Sequence, residues 1–140
     1  MPAYLQSTAG VPITGLHPGG SVDVFSAEAI TTGERSQAVA LANYPQGGAT
    51  PMSVDLNFNQ APGAFKINVT FAAKDVAADY ACPDATFQIT AANLDSASGV
   101  GGPNSSVHFE CPFSNAKFAS LYVVSAPANG GTTVTATLKR

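Results

Sequence analysis

The chain is poor in charge, has no tryptophan and carries two cysteines. Charged residues make up 11% of it, where roughly 25% is usual for soluble domains; Gly, Ser, Thr, Asn and Ala fill the difference, so the predicted surface is polar but weakly ionic. Six basic residues stand against nine acidic ones, and only Lys139 and Arg140 are adjacent. Tracking a phosphate backbone takes several cations acting together, so nucleic acid is not an expected partner. No stretch approaches the ~18 to 20 consecutive apolar residues of a membrane-spanning helix, and no membrane partner is expected. The opening "MPAYLQSTAGVPITGLHPGG" lacks the basic n-region and apolar h-region of a signal peptide, which predicts synthesis in the cytoplasm.

Catalytic signatures are equally scarce. Cys82 and Cys111 lie too far apart in sequence for a CxxC site. Free thiols are the default, with Cys111 a buried small hydrophobe on the parity of Val107 and Phe109; a disulfide between the two cysteines is the alternative. His17 and His108 occur without GxSxG or HExxH patterns, and His108 shares an outward parity with Glu110, which predicts an exposed pair. Asp75, Asp79 and Asp84 lack the alternate spacing around a glycine that a calcium loop needs. The Asn-X-Ser/Thr patterns at Asn68 and Asn104 carry no weight without a secretory route. The expectation is therefore a non-enzyme with no catalytic residues, no metal and no cofactor.

What the sequence does contain is alternation. In "SVDLNFNQAPGAFKINVTF", Val54, Leu56 and Phe58 share one face, then Phe65, Ile67, Val69 and Phe71 do so after a Pro-Gly break. The five-residue loop with Gly63 predicts a hairpin. Val22 with Val24, Val39 with Leu41, Phe87 with Ile89 and Val107 with Phe109 repeat the pattern. "KFASLYVVSA" and "TTVTATLKR" flank Asn129-Gly130, a favoured turn dipeptide, and predict a C-terminal hairpin. About eight short strands with one apolar face each predict an all-β, antiparallel β-sandwich, jelly-roll-like. A 140-residue chain is long enough to bury one full core.

Residues 1–20 hold Pro2, Pro12 and Pro18 with four glycines, which predicts an extended N-terminal arm followed by a sandwich domain over 21–140, with neither helix nor paired strand in the arm. Drawn out, twenty residues reach about 65 Å. Tyr4, Leu5, Val11, Ile13 and Leu16 are more apolar residues than a solvated tail needs, and are the candidate partner-binding residues.

The two strand-turn-strand blocks, "SVDLNFNQAPGAFKINVTFAAKD" and "FASLYVVSAPANGGTTVTATLKR", resemble small β-sandwich structural proteins of tailed bacteriophages, in particular capsid decoration (cement) proteins. The resemblance spans about Ser21 to Arg140. It implies a knob on an assembled shell at the virion surface, a homo-oligomer, with a trimer favoured, and the major capsid protein as partner. "DVAADYACPDA" departs from the compact turn such sandwiches carry. The alternatives are a phage tail or fibre subunit that binds a host-surface glycan through exposed tyrosines, a polysaccharide hydrolase on the same fold, and an adhesin.

Overall fold

In the computed structural model the described residues are 14–17, 19–41, 52–72, 87–94, 105–111 and 118–140. Nine strands lie among them: β1 (Thr14–Gly15), β2 (Ser21–Glu28), β3 (Val39–Ala40), β4 (Met52–Phe58), β5 (Lys66–Ala72), β6 (Gln88–Thr90), β7 (Ser106–Cys111), β8 (Phe118–Ser125) and β9 (Val134–Lys139). The first sheet has the order β2-β9-β4-β7 and the second β1-β3-β8-β5-β6.

The pairing has one logic. β5 pairs with β6, β4 with β7, β3 with β8 and β2 with β9, all antiparallel. These are the pairs of a single long hairpin centred between β5 and β6. Rolling it up adds β4·β9 and β5·β8, and β5 to β6 is the one connection among β2–β9 that stays within a sheet. With β1 set aside, two four-stranded sheets linked in this way form a jelly roll; the all-β sandwich expected from the alternation is the fold observed.

Both predicted hairpins are replaced by arches. β4 lies in the first sheet and β5 in the second; β8 lies in the second and β9 in the first. Each apolar face is where the alternation placed it, but the two strands of each block face one another across the core. The arches lie side by side and lock. The backbone N–H groups of Ala128 and Asn129 donate to the carbonyls of Ala64 and Pro62 at 2.9 and 3.1 Å. Asn129 Nδ2 donates to Ala61 O, and Gln60 Nε2 to Gly130 O and to Thr132 Oγ1. The Asn129-Gly130 pair has no left-handed residue; the positive φ of that arch falls on Gly131, at 81°.

The core lies between the sheets. Val54, Leu56, Ile67, Ile89, Leu121, Val123, Val134, Ala136 and Leu138 are fully buried, and Phe58 packs on Phe65 with ring centroids 5.0 Å apart. In β2 Val24 is buried and Val22 packs against the core, the single face expected for them, and a register shift follows between Asp23 and Phe25. The extra residue rotates the strand, so that Phe25 opposes Ala136 and is buried in place of strict alternation. Cys111 is a buried free thiol as expected; it donates to Met52 O, and burial pushes it up to about 12. Cys82, the Asp75–Asp84 segment and Asn104 lie outside the described residues.

The arm also ends differently from its expectation. Thr14 and Gly15 form a parallel strand on Val39 and Ala40, and Leu16 N donates to Ala40 O. Two residues are too few to show a period, so nothing in the sequence marked them as a strand. Leu16 is fully buried and packs in the domain's own core rather than projecting from an arm. Tyr4, Leu5, Val11 and Ile13 lie outside the described residues.

Candidate functional site

With the interior filled by apolar side chains, chemistry is left to the outer faces and the edges. On the first sheet, the alternation that turns Val54 and Leu56 inward turns Ser53, Asp55 and Asn57 outward. The register places Asp55 opposite His108 of β7 on one side and Thr137 of β9 on the other. Asp55 Oδ1 meets His108 Nδ1 at 2.5 Å, its Oδ2 meets Lys139 Nζ at 2.5 Å, and His108 Nε2 lies 3.5 Å from Glu110 Oε2. Beside them Thr137 Oγ1 donates to Asp23 Oδ1. The expected His108–Glu110 pair is present, but its partner across the sheet, Asp55, was invisible without the strand pairing.

Partial burial pushes the Asp55 carboxyl up, and the hydrogen bonds from Lys139 and His108 outweigh it, holding the group below its ordinary value. The hydrogen bond that His108 donates to Asp55 raises the imidazole, against a smaller opposing effect of burial. A raised imidazole contributes stability below its unfolded value of about 6.5 that is lost as pH rises through the folded value; a lowered carboxyl contributes above about 3.9 and loses it as pH falls. The cluster is therefore strongest between about pH 4 and 6.5. His108 is 58% exposed, so solvent screens the pair and its share of stability is small. The measurement that reads it is a titration of the His108 ring by NMR: its midpoint is expected above that of a free histidine, and Asp55→Asn is expected to lower it. An unmoved midpoint in the variant would show that Asp55 does not hold the ring.

A second polar group lies on the outer side of the second sheet. The residue Arg35, bridged to Tyr122 beyond the end of β3, is buried. Its Nη1 donates to Thr70 Oγ1 at 3.0 Å and Ser120 Oγ at 3.4 Å, and its guanidinium carbon lies 4.9 Å from the Tyr122 ring centre. Asn68 and Gln88 continue the layer through an Nε2 to Oδ1 bond of 2.8 Å. Asn68 is itself buried, which closes its Asn-X-Thr pattern to glycosylation. Tyr122 is half-buried, with a guanidinium over one face of its ring; Tyr4, Tyr44 and Tyr80 lie outside the described residues.

The third constellation is at the sheet edge. Arg140, half of the only adjacent basic pair in the sequence, is buried: its Nη1 donates to Leu16 O at 3.3 Å and Leu41 O at 3.0 Å. Gly19 N donates to Arg140 O at 2.7 Å and Arg140 N to Gly20 O at 3.2 Å. Lys139 points the other way, to Asp55. The last residue thus clips the segment bearing Leu16 to the sheet edge, and the basic pair of the sequence splits between two faces.

Among the described residues, no group of three or more His, Cys, Asp or Glu side chains could hold a metal ion. No protein-family model, curated protein or solved structure matches the chain.

Proposed function

We propose that the protein is a non-enzymatic virion subunit that binds and stabilises an assembled bacteriophage shell, with the major capsid protein as its partner and a trimer as its working form. The observation that carries the reading is the clip at the sheet edge. Leu16 is sunk in the core and held by Arg140, so the segment before Thr14, with Tyr4, Leu5, Val11 and Ile13, is joined to the domain at a fixed point. A segment tethered in this way meets a neighbouring subunit at high effective concentration. Each copy that bridges shell subunits stabilises the assembled state by mass action, because detaching one of them breaks further contacts. The jelly roll supplies a rigid body whose faces are polar and weakly ionic, suited to lie flat on a surface.

The test removes residues 1–13 and leaves β1 and Leu16 in place. Co-sedimentation with purified shells is expected to fall by roughly tenfold or more as the tethered contacts are lost, while the circular dichroism spectrum and melting curve stay those of the full chain. Undiminished binding by the shortened, folded protein would overturn the role of the arm. The copy number in purified particles, measured against the capsid protein by mass spectrometry, tests the shell itself: comparable numbers are expected. A few copies per particle would favour the tail or fibre subunit, and none would remove the virion reading.

A further inference from the structure

The contact between β1 and β3 is small, self-contained and built on a hinge. The strap consists of Thr14, Gly15 and Leu16; it makes a two-residue parallel ladder and one further backbone bond, and inserts one side chain. What turns it back onto its own domain is His17-Pro18-Gly19-Gly20. Gly20 N donates to His17 O at 2.8 Å, and Gly19 has φ 81°. A left-handed glycine third and a bond from the fourth N–H to the first carbonyl close the reversal. The reversal therefore depends on one left-handed glycine, and a side chain added at Gly19 would meet no atom within 4 Å. A substitution there strains the backbone without crowding anything.

We infer that Thr14–Leu16 is an exchangeable strap, and that the β3 edge it occupies is a docking surface for the same three residues of a second copy of this chain. When the turn opens, residues 17–20 extended span about 13 Å, and the strap leaves behind a β3 edge and a cavity shaped for a leucine. The occupant that fits both is already known from the closed form: another copy's Thr14, Gly15 and Leu16, which remake the same ladder, the same plug and the same bonds to Arg140. Because the strap's own contacts are recovered and the Gly20 N–His17 O bond is lost only within the opened turn, closed and exchanged forms differ mainly in the turn and in concentration, the condition under which identical elements swap between protomers. Arg140 sets the rate, since its bonds to Leu16 O and Gly19 N must break before the strap leaves. This holds whether or not the domain serves a phage shell.

The experiment uses two full-length variants in a Cys82→Ser background, Gly15→Cys and Ala40→Cys, mixed at high concentration. These positions are directly opposite in the ladder, so a disulfide between the two variants reports a strap of one copy on the β3 of another. The mixed disulfide is expected, in excess over Gly15→Cys dimers, and adding Gly19→Val to both is expected to shift the protein to a dimer in gel filtration with light scattering. Folded Gly19→Val protein that stays monomeric, or mixed and like disulfides formed at equal rates, would overturn the exchange. Arg140→Gln leaves the turn sequence intact and gives an independent reading: cross-linking is expected to accelerate about tenfold, the effect of losing a hydrogen bond to a charged group. An unchanged rate would overturn the latch.

Discussion

Leu56→Ala is expected to lower the unfolding free energy by about 3 kcal/mol, within the range for emptying a leucine site in a packed core. Leu56 sits at the middle of β4, between Val107 of β7 and Ala136 of β9, and is fully buried. A cavity at that point is bounded by paired strands on both sides and by the second sheet opposite, so the surroundings have little freedom to collapse. The neighbouring residue supplies the control. Asp55 projects from the other side of the same strand, and its ion pairs with His108 and Lys139 lie in a solvated layer; Asp55→Ala is expected to cost about 1 kcal/mol or less. Urea unfolding of the two variants measures both. Equal losses would mean that the strand is not turned as the register places it.

That contrast was legible in the sequence, because a period of two assigns each residue of a strand to a face. The same period is silent about which sheet the strand enters. "SVDLNFN" and "FKINVTF" alternate identically whether they bend back side by side or cross the core, and a five-residue loop fits both. Closure of the whole roll decides: β4 is claimed by β7 and β9, β5 by β6 and β8, through partners 30 or more residues away for three of the four contacts. The polar cluster was half legible for the same reason. His108 and Glu110 share a strand, and their common parity was visible; Asp55 joins them only through the β4·β7 register. The burial of Arg140 and Leu16 had no local signal at all, since an arginine beside a lysine at the end of a chain and a leucine in a proline-rich stretch acquire their environment from each other.

The locked arches yield the second large effect, and three glycines in them form a graded series. Gly130 has ordinary φ and open space around it, so Gly130→Ala is expected to change stability by no more than about 0.5 kcal/mol. Gly131 has φ 81° but only the tip of Gln60 within 4 Å; Gly131→Ala pays backbone strain alone, about 1 to 2 kcal/mol. Gly63 has φ 71°, and its added Cβ would stand 3.1 Å from Asn129 Cγ and Oδ1 and 3.3 Å from Ala128 Cβ. Asn129 cannot withdraw freely, because its Nδ2 is bonded to Ala61 O and its N–H to Pro62 O. Gly63→Ala therefore combines strain with the loss or distortion of the bonds that join the two arches, and about 2 to 4 kcal/mol is expected. Thermal or denaturant unfolding of the three variants should rank them Gly130, Gly131, Gly63 in increasing cost. If Gly63→Ala cost no more than Gly131→Ala, the arches would not be locked against each other; if Gly130→Ala were the worst of the three, the tight hairpin turn that the Asn-Gly pair suggests would be the true conformation.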